Sequence, residues 1–375
     1  MQSAFRHVYV HVPFCSRRCT YCDFSIAVRK VVPSGEYSTA LVRELTARGV
    51  LKSDNTLPAL DTMYFGGGTP SKLGGLGIQE LIAALGEAGV RPADGAEVTI
   101  EANPEDVEPG VVDQWVRAGV GRLSVGIQSF DQDALSWMHR THSSAQATNA
   151  VKSARMAGIG NVSIDLIYAL PDSVRRSWRD DLSRALDLQP DHMSVYGLTV
   201  EPQTPLGRLT ARGAVAPSPA DRAADEFLEA HETLTAAGFE HYEVSNYAKP
   251  GFRSRHNAAY WRRTPYLGLG PSAHSFDGAV RRWNIAGYAA WAAAATAGAD
   301  PIAGQETLGE AERMAEEAYL GLRTDAGFEV TSAADIARVG SWEREGWAVV
   351  SGRRVRLTPE GWLRLDALAS SLSVA

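Results

Sequence analysis

Residues 7–22 read HVYVHVPFCSRRCTYC, so a short apolar run leads directly into a loop that holds all three cysteines of the chain. Cys15, Cys19 and Cys22 follow the spacing C-x3-C-x2-C. An odd number of cysteines this close together cannot form a disulfide framework. Iron–sulfur clusters are held by cysteine thiolates, normally four. Three thiolates therefore predict a 4Fe–4S cluster in which one iron keeps an open coordination position, as catalytic metal sites do.

Two other interpretations of this loop stay open. In the first, the cysteines are unrelated buried residues, which their clustering disfavours. In the second, they bind zinc together with His7 or His11. Zinc sites usually combine two separated groups of ligands, and no second group of Cys or His lies nearby in the sequence. The cluster is therefore the favoured interpretation.

Outward from this loop, the first two hundred residues alternate short apolar runs with amphipathic helical segments, a pattern typical of βα units and a parallel sheet. The six predicted strands are His7–Val12, Thr62–Phe65, Glu97–Glu101, Arg122–Ile127, Val162–Ile167 and Met193–Gly197. The predicted helices between them include Tyr37–Gly49, Ile78–Gly89, Ala145–Ala157 and Arg176–Leu188. Since a full barrel has eight such units, the sequence predicts an α/β fold with an incomplete parallel (β/α)6 barrel.

Each predicted strand runs into polar residues or glycines at its carboxyl end. The first meets the cysteine loop, and the second meets the turn GGGTP at residues 66–70. The next four end near Glu101, Gln128, Asp165 and Tyr196. The carboxyl ends of parallel strands share one face of the fold, where loops build active sites. The sequence therefore predicts one site assembled from six strand ends.

The remainder of the chain predicts a smaller C-terminal α+β domain. A stretch at 207–223, rich in Ala, Pro, Arg and Ser, is interpreted as a linker, and a helix is predicted over 224–237. Near the end, VVSGRRVRL predicts a hairpin that turns at Ser351 and Gly352, and Thr358 is the expected cap of a closing helix. Helices followed by a hairpin are typical of a winged-helix-like module. The predicted domains are 1–215, 216–300 and 301–375.

Bulk properties exclude several classes of partner. The net charge of −7 gives no overall attraction to nucleic acid or anionic membranes. The basic run at 353–356 is offset by nearby Glu343, Glu345 and Glu360, so a nucleic-acid-binding function ranks low. No apolar stretch is long enough to span a bilayer, and the first residues lack the apolar core of a secretory signal. We expect a cytoplasmic protein without a membrane anchor.

Several motifs resemble those of a known family. The cysteine loop after the first strand and GGGTP after the second resemble the radical S-adenosylmethionine (SAM) superfamily. The resemblance narrows to the HemN/HemW group, which contains oxygen-independent coproporphyrinogen III dehydrogenases and heme chaperones, and it extends from about residue 7 to residue 365. The motifs that carry it are YVHVPFC (9–15), EANPE (101–105), SVGIQSF (124–130), IDLIYALP (164–171) and HMSVYGLTVEPQTP (192–205).

This resemblance implies a SAM site beside the cluster. The residues that it assigns to SAM are Tyr9, Phe24, Gly67, Gly68, Thr69, Glu101, Gln128, Arg140 and Asp165. Their chemistry suits the ligand, since carboxylates accept from ribose hydroxyls and the ammonium group, and an arginine binds the carboxylate.

Two features favour the heme-chaperone branch of the group. The dehydrogenases continue their cysteine motif with a fourth cysteine, where this chain has Phe24. In addition, HNAAYW at 256–261 resembles the H-N-x-x-Y-W motif of HemW-type chaperones and implies heme contacts by His256, Asn257, Tyr260 and Trp261. His256 could ligate the heme iron, and His241 and His274 in the same region stay open as alternative ligands. The implied function is to bind heme and transfer it to an acceptor apoprotein, for which a respiratory enzyme is one candidate, with an electron donor for the cluster. The alternative is oxidative decarboxylation of coproporphyrinogen III, and enzymatic activity stays open.

Overall fold

The computed structural model describes residues 5–51 and 56–372. The strands in chain order are β1 His7–Val12, β2 Phe14–Cys15, β3 Ala27–Val28, β4 Leu60–Gly67, β5 Pro92–Ala102, β6 Arg122–Gln128, β7 Asn161–Tyr168, β8 His192–Gly197, β9 Glu240–Glu243, β10 Asn246–Ala248, β11 Leu267–Leu269, β12 His274–Phe276, β13 Val280–Asn284, β14 Ile302–Thr307, β15 Phe328–Glu329, β16 Ala348–Ser351 and β17 Arg354–Leu357.

The helices vary in length from a single turn to 17 residues. In chain order they are α1 Ser34–Arg48, α2 Gly74–Glu87, α3 Pro109–Arg117, α4 Gln132–Trp137, α5 Ser144–Met156, α6 Trp178–Asp187, α7 Pro205–Ala211, α8 Ala220–Ala236, α9 Arg255–Trp261, α10 Tyr288–Thr296, α11 Glu310–Leu322, α12 Ala333–Arg344, α13 Pro359–Trp362 and α14 Leu365–Ser370. Short 3₁₀ turns cover Pro70–Leu73 and Pro104–Asp106.

The principal sheet has nine strands in the order β11-β1-β4-β5-β6-β7-β8-β10-β9. The six predicted strands form its centre, adjacent in chain order and all parallel, with Val10 opposite Phe65 and Ile164 opposite Met193. Alternate residues of β1 and β4, such as Val8 and Met63, are fully buried under the covering helices. This arrangement confirms the prediction of an incomplete parallel barrel that is open on one side.

Local signals explain where the helices begin. Ser143 accepts from the backbone N–H of Gln146, whose side chain accepts from the Ser143 N–H in return, and this capping box starts α5.

The prediction of a linker over 207–223 is wrong in part, because α7 covers its first residues and α8 begins at Ala220. Thr204 caps α7 by accepting from the N–H of Gly207, and Pro205 occupies the first helical turn. These two start signals lie just before the predicted linker.

Residues beyond 216 extend the same sheet. β10 pairs antiparallel with β8, and β11 pairs parallel with β1 on the opposite edge. Trp291 of α10 is fully buried in the main core and donates to the buried carboxylate of Glu44 at 2.9 Å. The polypeptide between the barrel and the C-terminal module is thus part of the barrel's own packing.

A second hydrophobic core lies at the C-terminal end of the chain. The three-stranded sheet β15-β17-β16 packs with α11, α12 and α14 around Leu322, Trp342 and Val355. The hairpin forms as predicted, with Ser351 paired to Arg354, and Thr358 caps the following helix by accepting from Gly361 at 3.2 Å. Among the described residues, none of the helices is long and apolar enough to cross a membrane.

A candidate cofactor site at the carboxyl ends of the strands

The ends of the parallel strands surround a cavity of about 430 Å³, which we call the first cavity. Its wall includes most of the residues predicted for the cluster and SAM and one from the HNAAYW motif: Cys15, Cys19, Cys22, Phe24, Gly67, Gly68, Thr69, Glu101, Gln128, Arg140, Asp165 and Asn257. With Tyr196 of β8 on the same wall, residues from six different strand ends meet in one place. Of the residues predicted for SAM, Tyr9 alone is not on this wall.

The cysteine loop is fixed at both ends by the short parallel pair β2 and β3. Cys15 Sγ lies 3.3 Å from Thr69 Oγ1, and Cys19 Sγ lies 3.8 Å from a guanidinium nitrogen of Arg140. Burial raises the pKa of Cys15 and raises that of Cys22 to about 11, so metal binding at these thiols releases protons. Within the described ranges, no three metal-ligating side chains converge as a single-ion site requires. In a cluster, each thiolate binds its own iron.

The glycine turn after β4 packs tightly against the neighbouring strand. Gly67 has φ +108, and a Cβ there would lie 2.5 Å from the ring of His11. A Cβ on Gly68 would lie 2.6 Å from the carbonyl carbon of Pro13. A side chain at Gly67 would have to displace the His11 ring, and one at Gly68 would have to displace the backbone at Pro13. The glycines thus bring bare backbone to the cavity wall, which is what the close approach of a polar ligand needs.

Two half-buried carboxylates line the first cavity. Glu101 accepts from the hydroxyl of Tyr64 at 2.7 Å and from the N–H of Gly67 at 3.1 Å. Burial raises the pKa of Glu101 to about 7, although the bond from Tyr64 opposes this. Burial also raises the pKa of Asp165, which accepts from Ser124 at 3.0 Å. Both groups retain oxygen lone pairs for a polar ligand.

The wall of the first cavity also carries a positioned guanidinium and a glutamine with strained backbone. Arg140 donates to Asn103 Oδ1 and to the carbonyl of Gly126, each at 2.7 Å. Gln128 follows an irregularity in the β6–β7 ladder and has φ +68, which is unfavourable for a residue with a Cβ. Strained backbone of this kind persists where surrounding structure imposes it, often at functional sites.

Arg122 also lies on this wall, and sequence reasoning missed it. Arg122 is 3% exposed, and its Nε has no hydrogen-bond partner among the described residues. Its positive charge lowers the pKa of Asp165 and of Glu101, against the larger effect of burial. One sequence signal for this residue was available, because Arg122 stands inside the apolar strand RLSVGIQ. Arginine is almost never fully buried without a partner, so its place in a buried strand indicates a functional or ion-paired role.

Tyr9 and His256 lie behind the first cavity rather than on its surface. The His256 ring stacks on Tyr64 at 5.0 Å, and Tyr9 stacks on the same tyrosine at 6.1 Å. His256 is 1% exposed, with Nδ1 2.6 Å from Thr62 Oγ1 and Nε2 2.9 Å from the Tyr260 hydroxyl. Because both ring nitrogens are engaged, this geometry gives no support to the expectation that His256 ligates heme iron.

A second cavity, of about 660 Å³, lies on the other side of the cysteine loop. Asp23 and Phe24 belong to the walls of both cavities. The second wall is rich in aromatic rings and includes Tyr9, Phe24, Tyr260, Trp261, Tyr266, Phe276 and Tyr319. It also carries two histidines, His11 and His274. The HNAAYW motif is therefore divided, with its Asn on the first cavity, its Tyr and Trp on the second, and its His between them.

The basic residues of the second cavity are ion-paired. Arg281 pairs with Glu306 at 3.2 Å and with Glu316, and Arg263 pairs with Glu316 at 2.7 Å and Glu317 at 2.6 Å. Arg263 and Arg281 also lie over the ring of Phe276, at 5.4 and 5.6 Å. These interactions hold the aromatic wall in a defined position.

The fold and the first cavity define a radical SAM protein, and residues 9–185 match the model of the Radical SAM superfamily. The heme chaperone HemW of Synechocystis sp. is 37% identical over 331 residues, which are 85% of this chain and 78% of that protein. HemW of Escherichia coli is 39% identical over 273 residues, 71% of this chain and 69% of that protein. The chain belongs to the family of HemW heme chaperones.

A solved structure supports the fold independently. Coproporphyrinogen III oxidase (HemN) from Escherichia coli superposes with a TM-score of 0.81 at 22% identity, covering 97% of this chain and 89% of that chain. The likeness therefore includes the region beyond the barrel and the C-terminal module. At this level of identity it shows a shared fold.

Proposed function

We propose that this protein is a cytoplasmic heme chaperone that binds heme and transfers it to an acceptor apoprotein, on a radical SAM core with one 4Fe–4S cluster. The observation that carries the proposal is the pair of cavities that meet at the cysteine loop, in a chain of the HemW family. One cavity suits a cluster with SAM, and its neighbour offers aromatic walls for a flat apolar ring.

The residues of the first cavity fit the cluster and SAM. Cys15, Cys19 and Cys22 would hold three irons and leave the fourth open to SAM. Arg140 would bind the SAM carboxylate, with the ammonium group and ribose hydroxyls directed to Glu101 and the other wall oxygens of this cavity. When bound, the cluster and SAM supply one-electron chemistry.

The chain's own groups prepare the first cavity for a charged ligand. The bare backbone of Gly67 and Gly68 lets the ligand approach β4 closely. Arg140 is held by Asn103 before any ligand arrives, so little ordering is needed on binding. Phe24, exposed and at the position of the missing fourth cysteine, closes the cavity with an aromatic ring instead of a thiolate.

Two protein partners are part of this proposal. Transfer requires an acceptor apoprotein, for which a respiratory enzyme is the class we favour, and the cluster requires a one-electron donor. The open side of the barrel offers room for a docking protein at the strand ends.

The test is an anaerobic titration of the reconstituted protein with heme, followed by transfer to an apoprotein. We expect a stoichiometric shift of the Soret band and its movement to the acceptor on mixing. If the protein binds no heme but converts coproporphyrinogen III in the presence of SAM and a reductant, the proposal fails and the dehydrogenase interpretation replaces it.

A further inference from the structure

We propose that the second cavity is the porphyrin site and that His274, outside the HNAAYW motif, is the axial ligand of the heme iron. This inference rests on the proposed function, since it identifies where that function's cargo binds. It begins from the observation that the histidine of the HNAAYW motif, His256, is buried with both ring nitrogens engaged.

The walls of the second cavity suit a flat apolar ring. Tyr260 and Tyr266 pack edge to face, with centroids 4.6 Å apart, and Trp261 follows directly in α9. Phe276 faces the same space and is fixed by the two flanking guanidinium groups. Small-molecule sites are typically concave, mainly apolar and 300–1,000 Å³ in volume, and this cavity of about 660 Å³ lies within that range. Rigid aromatic side chains bind large apolar surfaces at low entropic cost.

Hydrogen bonding distinguishes the two histidines of this wall. His11 is 6% exposed, with Nδ1 3.1 Å from the Tyr9 hydroxyl and Nε2 2.9 Å from the carbonyl of Ser25. His274 is exposed, and no hydrogen bond to its ring occurs within the described ranges 5–51 and 56–372. Neutral imidazole with a free nitrogen is the usual protein ligand of heme iron. His274 therefore has the free nitrogen that His11 and His256 lack.

The backbone holds His274 in place while its ring stays free. His274 begins β12 and pairs with Trp283 of β13, whose ring lies nearly parallel to the imidazole at 5.9 Å. β12 and β13 are antiparallel, and the next residue after His274, Ser275, is buried. A ligand on a strand of this kind is positioned more accurately than one on a loop.

The charge of the wall sets a limit on how the propionates bind. Glu316 lies between Arg263 and Arg281 and compensates part of their charge. Propionates at this wall would therefore meet guanidinium groups that are already ion-paired with carboxylates.

The experiment is heme titration of the full chain, comparing wild type with His274→Ala and with His231→Ala. His231 is the control, because it is a partly exposed histidine of α8 that lies on the wall of neither cavity. We expect His274→Ala to weaken heme binding by at least about tenfold and to remove the spectrum of histidine-ligated heme, whereas His231→Ala binds as wild type does.

Each outcome separates the two proposals. If wild type binds heme and His274→Ala keeps both the affinity and the spectrum, this inference is overturned while the proposed function stands. If wild type binds no heme, the proposed function itself fails. His274→Cys provides a second readout, because a thiolate ligand would change the Soret band if residue 274 ligates the iron and would leave it unchanged otherwise.

Discussion

The two cavities on either side of Asp23 and Phe24 are built from different kinds of sequence. The first consists of strand ends from the parallel barrel, and its functional groups are thiols, carboxylates, amides and backbone. The second combines the cysteine loop and β1 with residues 260–320, and aromatic rings make up much of its wall. The first is suited to a small charged ligand and the second to a large flat one.

This comparison shows how one fold can form two unlike cavities that share residues of one loop. Barrel strands place polar side chains at one edge by topology alone, whereas the aromatic wall depends on elements added after the barrel. If this comparison is correct, changes in one cavity should alter one ligand and leave the other largely unaffected. The experiments below test that independence.

The largest effect is expected from the cysteines. Cys19→Ser should reduce bound iron and acid-labile sulfide to near zero, because three thiolates are already the minimum for the cluster. Heme affinity should remain within about twofold of wild type, since the second cavity contains no cysteine. Metal analysis and heme titration measure the two effects, and Ser16→Ala, in the same loop, is the control. Loss of heme binding together with the cluster would show that the cavities act as one site.

The next effect concerns the glycine turn. Gly67→Ala should destabilise the protein by about 1–3 kcal/mol, because φ is +108 and the new Cβ would lie 2.5 Å from the His11 ring. Gly74→Ala is the matched control, since φ is +69 and nothing lies within 4 Å of its Cβ. Chemical denaturation would measure both. Equal losses of stability in the two variants would show that backbone conformation alone causes the effect and that close packing against His11 does not contribute.

Much of the first cavity was predictable from sequence, and most of the second was not. Strand periodicity placed β1 at its observed bounds and located the other five barrel strands, because buried parallel strands have continuous apolar runs. The polar residues at their ends then followed from topology. His274 and Phe276 lie on a short strand with no periodic signal, and their approach to Trp261 depends on tertiary packing. Of the HNAAYW motif, Tyr260 and Trp261 lie on the second wall, whereas His256 lies behind the first cavity, and the assignment of these residues to heme stays a prediction.

The affinity of the first cavity for SAM should depend on pH, and this effect is of intermediate size. Burial raises the pKa of Glu101 to about 7, so the carboxylate is mostly protonated at pH 6 and mostly ionised at pH 8. SAM affinity should therefore increase by up to about tenfold over that range, as the negative charge that attracts the ligand's ammonium group appears. Glu101→Gln should bind SAM more weakly and without this pH dependence, as isothermal titration at several pH values would show. A wild-type affinity that does not change between pH 6 and 8 would contradict the assignment.

The smallest expected effect comes from Arg122, the buried guanidinium that the sequence did not reveal. Its positive charge lowers the pKa of Glu101, so Arg122→Met should raise that pKa and shift the midpoint of SAM binding to higher pH by less than about one unit. The pKa of Glu101 rises because, without the positive charge of Arg122, the ionised carboxylate is less stable relative to the protonated form. Arg117→Met, at an exposed position on α3, should leave the midpoint unchanged. A midpoint that moves downward in Arg122→Met would mean that Arg122 does not act on Glu101 through its charge.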